Sequence, residues 1–300
     1  MQEKIKTFDN QFLTVDKVGT GKKIAILLHG IGGSSHFWKP FALRFRRDYT
    51  FVIPNLRGFG KSSDVGFSAD NAGDVLTDYA NDIDAIIKHY KGNAKVVICA
   101  LSMGAYATMR YFELFGSKHV EKFLSIDQSP KAINSRVWHA GLCGRLQEQK
   151  MTQFNNLLPE FGKLLGTPFN KLESDLKAEY LDAVGQFFES AFHRKPEKLI
   201  AQVASKHAGA FFGVKNWESY YHCLIAYQKQ DYDFRPVMRK LKIPVTLFVG
   251  RYSNMYPAEG QLYLAKKNPD HIKAVTFDES HALMYTAPRQ FIQHLGEFLK

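Results

Sequence analysis

The stretch CALSMGAY, residues 99–106, sets Ser102 between a run of Val, Ile and Cys and a run of helix formers, with the small residues Ala100 and Gly104 two positions to either side. A serine hydroxyl gains nucleophilic use when a sharp strand-to-helix turn lifts it out of a sheet. Small neighbours let the chain bend, and the following amide then stands at the positive end of a helix. A serine at such a place can also be a plain helix N-cap, but two other segments favour chemistry. LLHGIGGSSHFW (27–38) ends an apolar run in His29-Gly30 and continues as a loop whose amides can face a developing oxyanion. DESHALMYTAPRQF (278–291) sets His281, a candidate general base, between the last apolar run and the last helical pattern.

The elements that must position these residues alternate along the chain. KKIAILLHG (22–30), DYTFVIPN (48–55), AKVVICALS (94–102), HVEKFLSIDQ (119–128), PVTLFVG (244–250) and IKAVTFDES (272–280) are short aliphatic runs that stop at turn residues. Helical patterns lie between them, including 74–90, 103–116 and 288–300. The predicted class is α/β: a mostly parallel twisted sheet with helices on both faces. From about Pro130 to Pro236 comparable strands stop and helix-like stretches rich in Phe, Tyr and Leu take over, as in LESDLKAEYLDAVGQFFESAFH and WESYYHCLIAYQKQ. This segment reads as a helical insertion, 130–236, in a core formed by 1–129 and 237–300. Ligands of open α/β sheets bind at the carboxyl ends of the strands, where Ser102 and His29-Gly30 fall.

Several other chemistries are excluded. GTGKK and RGFGKSS suggest phosphate loops, but the Gly required five positions before the Gly-Lys pair is Asp16 in one and Asn55 in the other. The formal charge of +11 is spread as +4 over 1–130, +3 over 131–235 and +4 over 236–300, so no nucleic-acid footprint is expected. The cluster of Arg44, Arg46 and Arg47 reads as a solvated helix face. The first 19 residues carry charges where a leader would need an apolar run, and no segment approaches a membrane span, so the expected location is cytoplasmic, without membrane contact. Cys99, Cys143 and Cys223 include no C-x-x-C pair and read as free thiols, and none of the 11 histidines lies in a metal-binding motif. The oligomeric state is not written in these residues.

Taken together and in order, these motifs resemble the α/β-hydrolase superfamily over nearly the whole chain. His29-Gly30 resembles its oxyanion loop, and ALSMG its nucleophile elbow with Ala100 for the first Gly. NLRGFGKSS (55–63) resembles its Asp-x-Arg-Gly-x-Gly-x-Ser turn with Asn55 in place of the Asp, and SHALMYTAPRQF its catalytic histidine loop. The resemblance implies a Ser-His-acid site under a helical cap, the 130–236 segment, working without metal or organic cofactor. Family branches with an aspartate nucleophile, the dehalogenases and epoxide hydrolases, do not fit Ser102. Ser102 would attack an acyl carbonyl, His281 would take its proton, and the amides of Ile31 and Met103 would hold the oxyanion. His29 is expected to be structural, and His36 and Trp38 to pack under the cap.

The acid is out of place. The family pattern puts it three residues after a Gly and four before a Pro, and Gly250 and Pro257 both point to Ser253; no Asp or Glu occurs from Phe234 to Ala258. Asp278 and Glu279 lie too close in sequence to His281 to reach its Nδ1 comfortably and are expected on the surface. Asp127, at the end of the strand in FLSIDQSP (123–130), reaches the same carboxyl edge, as the acids of some lipases and cofactor-free dioxygenases of the superfamily do. Its plainer role is to cap the turn before Pro130. The resulting expectation is a serine hydrolase of small or medium, largely apolar carboxylic esters. A cofactor-free dioxygenase or lyase using His281 and Asp127 as base, or a ligand receptor without turnover, stay open as alternatives.

Overall fold

The computed structural model of the chain describes residues 2–63, 74–192, 217–229 and 231–300. Eight strands, β1 (Gln2–Lys6), β2 (Phe12–Val18), β3 (Lys23–Leu28), β4 (Tyr49–Pro54), β5 (Val96–Leu101), β6 (Val120–Ile126), β7 (Val245–Gly250) and β8 (Ile272–Phe277), form one sheet. Their order is β1-β2-β4-β3-β5-β6-β7-β8. The pairings of β1 with β2 and of β2 with β4 are antiparallel, and all others are parallel. The six strands expected from the aliphatic runs are all present. The two antiparallel ones were not read from sequence, because QEKIK and FLTVDKV interleave charges with their apolar residues instead of forming a continuous run.

The central parallel strands β4, β5 and β7 are buried along nearly their whole length because both faces of the sheet are covered. By contrast, β3 and β6 carry charges near their starts, and the edge strand β8 holds exposed Lys273. Successive residues point to opposite sides. Ile26, Leu28, Ile98 and Ala100 pack in one core with Tyr79 and Ile83 of α2 (Val75–Tyr90) and Tyr106 of α3 (Met103–Phe115). Their neighbours Ala25, Leu27, Val97 and Cys99 pack in a second core with Phe41 of α1 (Lys39–Arg44) and Phe291 and Leu295 of α10 (Pro288–Leu299). The α2 helix begins where Asp74 accepts a hydrogen bond from the amide of Thr77, 3.1 Å away, satisfying one of the first-turn donors.

Between β6 and β7 the described residues form α4 (Gln147–Gly162), α5 (Ser174–Glu189), α6 (Trp217–Lys229) and α7 (Arg235–Lys240). Residues 193–216 and 230 of the expected insertion lie outside the described residues. The chain leaves and re-enters the sheet side by side: Lys131 and Asp233 form an antiparallel bridge, and the Phe234 amide donates to Pro130 O at 2.9 Å. After β7 come α8 (Ala258–Lys267) and α9 (Leu283–Thr286), which lies just past His281. Among the described residues no helix is long and apolar enough to cross a membrane.

A buried ion cluster fixes the loop after β4. The Arg57 guanidinium is fully buried, paired with Asp82 of α2 at 2.7 Å and with Asp9 in the β1–β2 turn. Both partners hold Arg57 charged against its desolvation. Asp82 accepts from Arg57 Nε at 3.0 Å and Nη2 at 2.7 Å, and its removal takes both hydrogen bonds from the buried guanidinium and leaves Asp9 to balance the charge. Asp82→Ala is therefore expected to destabilise the fold by about 1.5–3 kcal/mol, read as a lower urea midpoint with an unchanged slope.

Candidate active site

Three chain segments meet at the carboxyl edge of the sheet. Register makes Leu101, Ile126 and Phe248 neighbours across β5, β6 and β7, so Ser102 and Asp127 each stand one residue beyond a shared row. The ladder continues past that row: the Ser102 amide donates to Ile126 O at 2.9 Å and the Asp127 amide to Phe248 O at 2.8 Å. Both residues then turn through left-handed backbone, φ 50° at Ser102 and 44° at Asp127. Non-glycine residues rarely adopt this conformation outside constrained sites.

Ser102 precedes α3 without capping it through its side chain, which disposes of the N-cap role; only its carbonyl serves the helix, accepting from Ala105 and Tyr106. The turn is possible because its neighbours lack side chains. A Cβ on Gly104 would come within 2.8 Å of His29 O, and one on Gly30 within 3.1 Å of the Ser102 Cβ. The Met103 amide opens α3 with the unsatisfied donors of a helix start, and among the described residues the Ile31 amide donates to no protein acceptor. The Met103 side chain is buried in the core, 3.4 Å from Cys223 Sγ, while Ile31 lines the cavity above Ser102.

Asp127 is fully buried and accepts four hydrogen bonds. His281 Nδ1 lies 2.7 Å and Ser253 Oγ 2.6 Å from Oδ2; the Gly250 amide and Gln261 Nε2 both lie 2.9 Å from Oδ1. An ionised carboxylate only accepts, so His281 carries its proton on Nδ1 and presents Nε2 as a base. Ser102 and His281 line the same cavity, without a direct hydrogen bond between them. Of the other acids considered, Asp278 is exposed and pairs with Arg251 at 2.6 Å, as expected of a surface residue. Glu279 departs from that expectation. It is buried, in a loop whose Glu279 carbonyl accepts from the Tyr252 amide at 3.0 Å, just past the end of β7. Asn254 donates to the carbonyl of Phe192 at 3.3 Å and makes no contact with His281.

The cavity measures about 220 Å³ and is walled by Ile31, Phe37, Leu101, Met255 and Met284 from the sheet side and by Phe187, Phe188 and Phe192 from the end of α5 and just beyond it. Phe188 reaches the oxyanion loop: a Cβ on Gly32 would fall 2.7 Å from its ring. Neither the phenylalanines nor Gln261 stood out in the sequence, since an aromatic or amide at helical spacing is as common in plain packing. Trp38 does not pack under the helical region as expected: it opens α1 and its ring turns into the second core against Phe41 and Phe291, and His36 is exposed. Among the described residues no group of His, Cys, Asp and Glu is arranged to hold a metal ion.

His29 braces the oxyanion loop from beneath. Its Nε2 accepts from the Leu56 amide at 2.9 Å, which leaves Nδ1 to donate to Gly30 O at 2.8 Å, and Phe59 packs edge-on to the ring. Asn55, in place of the family's Asp, accepts from the Ser35 amide at 2.8 Å and donates to Thr14 Oγ1 at 2.9 Å, joining the same loop to β2.

A family model described as alpha/beta hydrolase fold matches residues 25–288, and the chain belongs to that family. It is similar to a pimeloyl-[acyl-carrier protein] methyl ester esterase of Legionella pneumophila (strain Corby), 24% identical over 294 residues that cover 95% of this chain and 98% of the relative. Among solved structures it resembles a thermophilic esterase from Thermogutta terrifontis, with a TM-score of 0.74 and 16% identity over 100% of this chain and 98% of that one. The enol-lactonase from Burkholderia xenovorans LB400 superposes with a TM-score of 0.72 at 15% identity, covering 99% of both chains.

Burial lowers the His29 imidazole from 6.5 to about 4. The folded state keeps this ring neutral where the unfolded chain already binds a proton. Its stabilising contribution is therefore complete above about pH 6.5 and lost as pH falls toward 4, amounting to roughly 3 kcal/mol. His222, also lowered by burial, adds in the same direction, and Asp82, raised to about 6 by burial, opposes it. Unfolding free energies between pH 7 and 4 should fall less steeply in His29→Gln than in wild type, the difference isolating His29.

Proposed function

We propose that the protein is a serine hydrolase of carboxylic esters, with Ser102 as nucleophile, His281 as base and Asp127 as the acid. The observation that carries this reading is the 2.7 Å contact of His281 Nδ1 with the buried Asp127, on a histidine that lines one cavity with a serine in a left-handed elbow. In the first step Ser102 Oγ bonds to the acyl carbon as its proton passes to His281 Nε2. The carbonyl π pair moves to oxygen, where the amides of Ile31 and Met103 receive it. Collapse expels the alcohol, which takes the proton from His281, and leaves an acyl-enzyme. Water, deprotonated by the same nitrogen, then repeats the sequence and frees Ser102. Asp127 holds the imidazole in its Nδ1–H tautomer and stabilises the imidazolium at each transfer.

The cavity lining supports a small or medium, largely apolar acyl substrate, because among the described residues Ser102, His281 and Tyr285 are the ones that bring side-chain N or O atoms to it. The methyl ester named for the Legionella relative and the ester and lactone bonds implied by the structural relatives' names are all within reach of this chemistry. We assign residues 130–236 the role of a cap whose Phe187 and Phe188 set acyl preference.

A fluorophosphonate probe should label wild type at Ser102 and leave Ser102→Ala unlabelled. Asp127→Asn should lower kcat by about four orders of magnitude with a folded protein, as loss of the acid does in serine proteases, and Ser253→Asp in that background should restore part of it. No labelling and no turnover of ester, thioester or lactone panels would leave the fold to a receptor. Full activity of Ser102→Ala with loss in His281→Ala would assign it to the base-only chemistry. For the cap, Phe187→Ala and Phe188→Ala should shift the preferred acyl length while leaving hydrolysis of an acetate ester within about threefold, since a pocket methylene discriminates by roughly 1–3 kcal/mol.

A further inference from the structure

The carboxylate of Asp127 touches two hydrogen-bonding side chains with no assigned part in the reaction. Ser253 stands where the family pattern would put an acid, and its hydroxyl is fixed from both sides: Oγ accepts from the Tyr256 amide at 3.2 Å, and its proton goes to Asp127 Oδ2 at 2.6 Å. Gln261, buried in the first turns of α8, uses Nε2 twice, toward Asp127 Oδ1 at 2.9 Å and Tyr256 O at 3.3 Å. The two residues therefore hold opposite oxygens of the same carboxylate, and both are tied to the backbone of Tyr256. Ser253 also lines a groove of about 820 Å³ that contains Arg145, Lys150 and Glu189, whereas His281 lines the cavity of Ser102. Asp127, with no exposed surface, meets both residues through Oδ2.

We infer that Ser253 and Gln261 are positioning residues: they clamp the Asp127 carboxylate so that Oδ2 meets His281 Nδ1, and Ser253 shuts that oxygen off from the groove. The inference rests on the proposed Ser-His-Asp reading. Carboxylate rotation about χ2 is soft, so the direction of Oδ2 is set by the donors around it. With its four donors in place, both oxygens are committed, and neither side chain lies in the cavity where the acyl group would bind. Their loss therefore reaches the chemistry through Asp127 and His281 and not through substrate contact. Ser253 also shares Oδ2 with His281. Removing that hydroxyl concentrates the oxygen's charge on the imidazole, which then binds its proton more tightly.

The test compares Ser253→Ala, Ser253→Thr and Gln261→Leu by ester kinetics and by the NMR titration of the His281 ring. Ser253→Ala and Gln261→Leu should each lose roughly tenfold in kcat, the scale of one hydrogen bond to a charged group, with KM within about twofold. Ser253→Thr, which keeps the hydroxyl, should stay within about threefold of wild type. In Ser253→Ala the His281 midpoint should rise by about half a pH unit or more. Tyr256, its ring 5.8 Å from that of His281, Cys143 beside Tyr256 and Glu279 in the His281 loop are common to all variants, so the difference reports Ser253. A folded Ser253→Ala with kcat within twofold of wild type and an unmoved midpoint would overturn the inference, as would a Ser253→Thr no better than alanine. If Ser253→Ala does not fold, Gln261→Leu decides by the same kcat-to-KM split. The midpoint needs no turnover: an inactive wild type with a shifted midpoint in Ser253→Ala would reject ester hydrolysis and keep the clamp.

Discussion

A carboxylate without any exposed surface organises this structure. Taking such a charge out of water costs several kcal/mol unless hydrogen bonds replace the lost hydration, and Asp127 receives four. Each comes from a different structural source: the end of β7, the loop after it, the second turn of α8, and the loop after β8. The carboxylate thus fastens the carboxyl ends of neighbouring strands to one another. Gly250 shows how closely they are drawn together, since a Cβ there would lie 2.6 Å from Ser280 O. The same network that makes burial tolerable fixes the tautomer of His281.

The other half of the site is held by neutral groups. His29, buried and kept uncharged, props the oxyanion loop through Gly30, and Asn55 ties that loop to β2 through Ser35 and Thr14. Asp16 reinforces the tie, accepting from Ser35 Oγ at 2.5 Å and pairing with Lys39 at 2.8 Å. Glycine at positions 30, 32 and 104 lets these backbones approach Ser102 and Phe188 closely enough to leave only a small apolar space above the hydroxyl. Exclusion of water from such a space strengthens every dipole aimed into it.

Among the described residues the region between β6 and β7 meets the site through specific contacts. The aromatic end of α5 lies over the oxyanion loop, the Ala282 amide beside His281 donates to Ala191 O at 3.2 Å, and Asn254 reaches Phe192 O. These contacts gather around His281, while Cys223 and Tyr220 of α6 meet Tyr79 and Phe59 beside the Arg57 cluster, with Tyr79 donating to Arg57 O at 3.1 Å. The helical region is therefore seated both on the carboxyl edge of the sheet and on the loop that the ion pairs fix.

The sheet's six parallel-side strands, the family and the pair Ser102 and His281 were legible in the sequence because each depends on local pattern: unbroken aliphatic runs, small residues around a serine, a histidine before the last helix. Asp127 was legible only by elimination, through an empty acid position at Ser253 and a strand ending in Asp. Strands β1 and β2 were not legible, since their apolar residues gain meaning only when β4 offers an edge to pair with. Nor were Gln261, the burial of Glu279, or the cavity wall of Phe187 and Phe188, which are defined by what stands opposite them. Sequence by itself determined where the parallel strands and many of the helices run and which residues are candidates for chemistry, because those follow from side-chain type and periodicity. Only the tertiary structure decided which donors meet the Asp127 oxygens and which aromatic rings close the site, because residues more than a hundred positions apart become neighbours through sheet register and loop packing alone.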